Sequence, residues 1–161
     1  MSAVLDCSFV SGSIVPSQRI EEAVRNMERL ISNRTDVISP YLLQIEFASS
    51  LRRLRYRGLI SELARASAWA ELMKIEIDYR WDVRWVERAM AMAELAGLSK
   101  AYDCLYLACA EANGAELYTC DGRFFRASEA LYPGGIRLIG AAAHELREPF
   151  VRPLATRLVA R

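Results

Sequence analysis

Histidine, lysine and closely spaced cysteines are what this sequence has least of. One histidine, His144, and four cysteines without CxxC spacing (Cys7, Cys104, Cys109, Cys120) give no zinc-ligand pattern. No apolar run approaches the roughly 18 residues of a membrane span. The first residues lack a basic stretch followed by an apolar one, so no secretory signal peptide is visible. The expectation is a cytoplasmic protein with reduced thiols. Only two lysines, Lys74 and Lys100, stand beside 19 arginines, and the net charge is +1, so bulk charge announces no nucleic-acid partner. Arginine suits bidentate contacts to phosphate, although genome composition produces the same bias.

What is present reads as one globular domain. The 161 residues are 53% apolar and 25% charged, enough to bury a sizeable core. There is no internal repeat, low-complexity segment or second domain. Ala3-Val4-Leu5 reads as a buried strand ending in Asp6-Cys7-Ser8. Residues 11–19, with Gly12, Pro16 and three serines, read as a loop. Ile20, Ala23, Val24, Met27, Leu30 and Ile31 recur at helical spacing over about 20–32. Val37-Ile38 is a second strand, and Ser39-Pro40 reads as the N-cap and first residue of a helix running to Gly58.

A further helix is expected over 59–73, an edge strand at 74–78, and a helix over 82–97 with Val83, Val86, Met90, Ala93 and Leu95 mostly inward. Ser99 then N-caps a helix that is apolar on almost every face from Ala101 to Ala112, the mark of a buried helix. Strands follow at 116–120 and 136–139, with a short helix between them. Residues 1–140 are expected to form the domain, and residues 141–161 a C-terminal tail that packs on it or contacts a partner.

Four acids stand out against this pattern. Alternating strands and helices imply a mainly parallel sheet covered on both sides, whose C-terminal strand ends share one edge. Asp6 and Asp121 come just after strands; Glu46 and Asp103 come near helix N-termini at that same edge. Each has a plainer reading by itself: Asp103 complements the helix dipole, Glu46 sits half-exposed at a helix edge, and Asp6 turns the chain. Together, four carboxylates repel unless a cation joins them, and hard oxygen ligands without His or Cys favour Mg²⁺ or Mn²⁺. Arg53 lies two helical turns from Glu46, where it either complements the helix C-terminus or holds a polyanion.

Val4-Leu5-Asp6-Cys7-Ser8, Ile45-Glu46-Phe47-Ala48, Ala101-Tyr102-Asp103-Cys104-Leu105-Tyr106-Leu107-Ala108 and Thr119-Cys120-Asp121-Gly122-Arg123-Phe124 resemble, in order, segments of PIN-domain ribonucleases, specifically the VapC-like toxins. The resemblance runs over about residues 3–139, and its most specific piece is Tyr-Asp-x-Leu-Tyr-Leu-Ala. It implies an α/β fold: a PIN-like three-layer α/β/α sandwich with a central, mainly parallel sheet. It places the family's catalytic, metal-holding acids on Asp6, Glu46, Asp103 and Asp121, with Ser8 and Thr119 as supporting hydroxyls. Arg53 and Arg123 are weaker candidates for phosphate contacts.

The implied activity is Mg²⁺- or Mn²⁺-dependent endonucleolytic hydrolysis of RNA to 5′-phosphate and 3′-hydroxyl products. The implied partners are a homodimeric second copy and a cognate antitoxin, with no membrane. Two departures are the cysteines at 7, 104 and 120, which read as small core fillers with oxidation sensitivity as the sharper alternative, and the long tail. Three other readings compete. They are an RNA-processing nuclease that is not a toxin, a PIN fold that only binds, and an aspartate-nucleophile phosphatase. The last needs a second Asp where Ser8 stands and a well-placed lysine, which Lys74 and Lys100 are not.

Overall fold

The apolar runs assemble around five parallel strands in the computed structural model of the chain, which describes residues 2–140. The strands are β1 (Ser2–Leu5), β2 (Asp36–Pro40), β3 (Asp78–Arg80), β4 (Glu116–Thr119) and β5 (Ile136–Leu138). Their order is β3-β2-β1-β4-β5, every neighbouring pair parallel. Seven helices cover the sheet: α1 (Cys7–Ile14), α2 (Glu21–Ser32), α3 (Leu42–Tyr56), α4 (Glu62–Lys74), α5 (Val83–Leu95), α6 (Tyr102–Asn113) and α7 (Gly122–Ser128). Single 3-10 turns lie at Pro16–Gln18 and Glu129–Leu131. This is the expected three-layer α/β/α sandwich. Val4, Leu5 and Leu117 are fully buried, as strands covered on both faces must be.

Two features of the topology position the site. The chain builds outward from β1 through β2 to β3, then returns to lay β4 on the other side of β1 and β5 beyond it. The winding direction therefore reverses between β1 and β4, and in parallel sheets the crevice at such a switch point is where ligands bind. The second feature is α6, which packs on β1, β2 and β4 and against α5. Cys104 through Ala110 are all buried, so the segment that is apolar all round is indeed a core helix, and its first turn opens at the strand C-terminal edge.

Several local expectations are corrected. Residues 11–14 belong to helix α1 and not to a loop. Gly12 and Ser11 are buried there because α1 packs tightly on α2 and β4: a Cβ on Gly12 would stand 3.2 Å from Ile20 Cδ1 and 3.4 Å from Cys120 Sγ. Ser39 does not cap a helix; it is buried in β2 and its hydroxyl donates to the Leu5 carbonyl at 3.0 Å. Pro40 ends the strand and α3 begins at Leu42. The edge strand expected at 74–78 lies later in the chain, since α4 runs through Lys74 and β3 spans Asp78–Arg80 at the sheet edge.

Ser61 is the residue that caps α4, accepting from Ala64 N–H. Ser99 does not cap α6, whose N-cap position is Ala101. On α5 the buried face is Trp85, Ala89, Met92 and Ala93, whereas Val83, Met90 and Leu95 are exposed. Small alanines form that seam because α5 packs closely along α6. The tail expected at 141–161 lies outside the described residues.

Candidate active site

Asp6 follows β1 directly and is the N-cap of α1, its Oδ1 accepting from Phe9 N–H at 2.8 Å. The same oxygen accepts from Ser8 Oγ at 2.7 Å. Asp121 stands one strand away, after β4, and caps α7: its Oδ1 accepts from the backbone N–H of Arg123 at 2.8 Å and of Phe124 at 3.0 Å. A strand feeding a helix explains both positions, because the free N–H groups of a first turn select a short acid at the cap. Two hydroxyls tie the strand ends together. Ser8 Oγ accepts from Cys120 N–H at 2.8 Å and lies 3.2 Å from Thr119 Oγ1, which accepts from Asp121 N–H at 3.0 Å. Ser8 and Thr119 thus fix both aspartates relative to each other.

Asp103 and Glu46 come from helices that open on this edge. Asp103 sits in the first turn of α6, half-buried, and its pKa is pushed up to about 7. Burial is the main cause, followed by repulsion from Glu46, Asp121 and Asp6. Glu46, Asp121 and Asp6 are thus all near enough to act on Asp103. Asp6, buried beside Asp121, is pushed up to about 6 by desolvation, although its hydrogen bonds from Thr119, Phe9 and Ser8 pull the other way. Glu46 is also raised by burial, partly offset by a hydrogen bond from Tyr106 Oη to its Oε2 at 2.6 Å.

Tyr106 is the functional residue that sequence reading missed. It is fully buried in α6 and reads as core, but burial and the adjacent carboxylates push its phenol far above its usual range, so it stays a hydrogen-bond donor to Glu46. The signal was its spacing: three residues after Asp103 places it on the same helix face.

The remaining candidates divide. Arg53 is exposed on α3, and its charge reaches Cys7, next to Asp6. Arg123 is exposed, and what it contributes directly is its backbone N–H to Asp121. The cysteines are core fillers: Cys104, Cys109 and Cys120 are buried. Burial pushes Cys7 up to about 12 and Cys104 up to about 11, and raises Cys120 too. These groups are far from thiolates, which runs against oxidation sensitivity.

Among the described residues, no group of three His, Cys, Asp or Glu side chains is placed so that it could hold a metal ion as it stands. The donor set nonetheless fits Mg²⁺ or Mn²⁺: Mg²⁺ keeps several waters and uses one or two carboxylates, so it needs converging oxygens more than an all-protein cage. A roomy cleft of about 1120 Å³ lies elsewhere, at the N-terminal edge of the sheet. Its Asp78 and Asn113 are already bonded to Arg80, and none of the four acids lines it.

Comparison with known proteins agrees with this architecture. The chain is 29% identical over 123 residues to Ribonuclease VapC3 of Pyrobaculum aerophilum, covering 75% of this chain and 90% of that one. Among solved structures it is similar to PAE2754 from Pyrobaculum aerophilum, with TM-score 0.62 and 18% identity over 84% of this chain and 83% of that chain. It is also similar to VapBC2 from Rickettsia felis, solved bound to a DNA fragment from their promoter, with TM-score 0.61 and 17% identity over 86% of this chain and 99% of that chain. At these identities the two structures share the fold. Residues 3–130 match the family model described as PIN domain, most of the described molecule, and the chain belongs to the PIN domain family.

Proposed function

We propose that this chain is a VapC-type endoribonuclease, dependent on Mg²⁺ or Mn²⁺, that works as the toxin of a toxin–antitoxin pair. The observation that carries the reading is the meeting of Asp6, Glu46, Asp103 and Asp121 at the topological switch point, close enough that each of the other three raises Asp103. The similarity to a protein named as a ribonuclease supports the reaction class.

Asp6, Asp103 and Asp121 would hold the cation, and Glu46 would either join them or orient a water through the oxygen that Tyr106 leaves unbonded. The chemistry such a cation supplies is acidification of a water and neutralisation of charge at the scissile phosphate. The protein's own part is positioning. Ser8 and Thr119 hold Asp6 and Asp121 across the β1–β4 boundary, and Tyr106 holds Glu46 over them. Arg53 and Arg123 are the nearest candidates for contacts to flanking phosphates. Exposed apolar side chains around α3 and the start of α4 (Ile45, Leu59 and Leu63) supply contact area for an antitoxin segment or a second copy.

Cleavage of single-stranded RNA is expected to vanish in chelator and return with Mn²⁺; undiminished cleavage in EDTA overturns the metal reading. Expression alone is expected to slow growth in a manner dependent on Asp103, and the product of the adjacent gene to co-purify. If wild type and Asp103→Ala are equally harmless and no partner co-purifies, a housekeeping nuclease replaces the toxin.

A further inference from the structure

The C-terminal edge of the sheet carries two kinds of residue in a fixed order. Reading across from β4 to β3, the positions one or two past the strand ends include Asp121, Asp6, Tyr41 and Trp81. Two carboxylates are followed by two aromatics. Tyr41 and Trp81 extend the register in which Pro40 pairs with Arg80, and Tyr41 N–H donates to the Arg80 carbonyl at 3.3 Å. Pro40 and Arg80 extend the register of Asp6, so the backbones of Tyr41 and Trp81 follow one residue later, one and two strand spacings of about 4.8 Å away along the edge.

Both rings are costly to expose and both are exposed: Tyr41 at 52% and Trp81 at 59%. Trp81 differs in this from the other two tryptophans, since Trp85 is buried and Trp69 packs on the core. Tyr41 is also braced. Its ring stacks on Tyr79 with centroids 5.9 Å apart and an interplanar angle of 27°, which fixes its orientation from below while half its surface stays open. A third exposed ring, Tyr102, stands beside Asp103, with the Lys100 ammonium 5.6 Å from its centroid. Lys100 also acts electrostatically on Asp103, so a positive charge borders the acids on this side. Flat faces beside a cation suit a strand that offers both bases and phosphates.

We propose that Tyr41 and Trp81 form a stacking platform for unpaired bases of the RNA substrate, holding the strand along the sheet edge so that its phosphodiester backbone crosses the acids. This rests on the ribonuclease reading above and adds what that reading does not: the substrate is a single strand at this point, and grip on it comes from base faces.

The test uses the full-length protein and fluorescein-labelled single-stranded oligoribonucleotides of mixed sequence. Trp81→Ala and Tyr41→Ala are each expected to raise KM about tenfold with kcat changed by less than about twofold, and Trp81→Phe to restore most of the loss. An oligonucleotide carrying abasic sites next to the cut is expected to be a poor substrate for wild type and to be unaffected by Trp81→Ala. With Asp6→Asn, which binds without cutting, RNA is expected to quench tryptophan fluorescence and to lose that quench on Trp81→Ala. If wild type cuts RNA but neither alanine variant moves KM and no quench occurs, the platform is overturned and the ribonuclease reading stands. If wild type cuts no RNA, the ribonuclease reading itself fails. If the alanine variants cut RNA normally but lose the protein product of the adjacent gene, the face is a protein interface and the platform is wrong.

Discussion

The two edges of the sheet carry the same residue types put to opposite use. At the N-terminal edge and along the flanks, several charges come in matched pairs. Arg137 makes two hydrogen bonds to Glu116, both at 2.8 Å, Arg88 makes two to Glu111, and Arg80 joins Asp78 to Asn113. These pairs lower their acids or raise their bases, as at Glu111 and Arg137. At the C-terminal edge the sign reverses. Among the described residues none of Asp6, Glu46, Asp103 and Asp121 is in an ion pair, and the first three are raised instead of lowered. Carboxylates crowded at one edge without cationic partners bear a local cost. A divalent cation held there would relieve that cost.

The largest effect on this contrast comes from removing charge at the crowded edge. Asp6→Asn or Asp103→Asn is expected to lower RNA cleavage about a thousandfold while the fold is kept, since several kcal/mol of charge stabilisation at the phosphate is lost. Circular dichroism and a cleavage time course check both halves. A large drop in melting temperature for Asp6→Asn would make it a structural cap instead.

Next comes the positioning of Glu46. Tyr106→Phe removes only a hydroxyl, keeps the ring, and is expected to cost about 10- to 100-fold in activity. Stability should fall by only about 1 kcal/mol. Wild-type activity in this variant would mean that Glu46 needs no holder.

A third test is pH. Asp6 and Asp103 have folded pKa values near 6 and 7, above their ordinary value of 3.8, so the folded state binds the extra protons. Their favourable contribution is fully present below 3.8 and is lost as pH rises through 6 and 7. The metal-free protein is therefore expected to melt lower at about pH 8 than at about pH 5, and Asp103→Asn to flatten the upper part of that slope. Added Mn²⁺ should restore stability at the higher pH, because binding needs the protons gone.

The smallest effect belongs to the matched edge. Arg137→Ala or Arg88→Ala is expected to leave cleavage unchanged and to shift stability by less than about 1 kcal/mol, as partly exposed pairs do. A loss of activity there would tie the two edges together.

How much of this the sequence revealed depended on whether local pattern or tertiary packing decided the matter. The parallel sheet and the buried helix α6 were legible because Ala3-Val4-Leu5, Leu117-Tyr118 and residues 104–110 are apolar runs, buried throughout. The meeting of the four acids followed from topology alone: strands running one way share an edge. Helix α1 was illegible because Gly12, Ser11 and Ser13 read as loop residues. In the fold Ser13 Oγ donates to the Phe9 carbonyl at 2.8 Å, and Gly12 lets α1 approach Ile20 and Cys120. Tyr106 was illegible for a different reason. Its spacing from Asp103 puts it on that acid's helix face, but the carboxylate its hydroxyl ends on comes from sixty residues away. The phase of α5 was missed because its inner face is Trp85, Ala89, Met92 and Ala93, while Val83, Met90 and Leu95 stay outside.

The most direct measurement is calorimetric titration of the metal-free protein with Mn²⁺ near pH 7.5, beside Asp6→Asn and Asp103→Asn. The four acids are expected to give a saturable binding heat, with protons released in increasing number as the pH is lowered toward 6.5, and each substitution to weaken it at least tenfold. No binding heat in the wild type, or equal binding in all three proteins, would contradict the assignment of these carboxylates as a cation site.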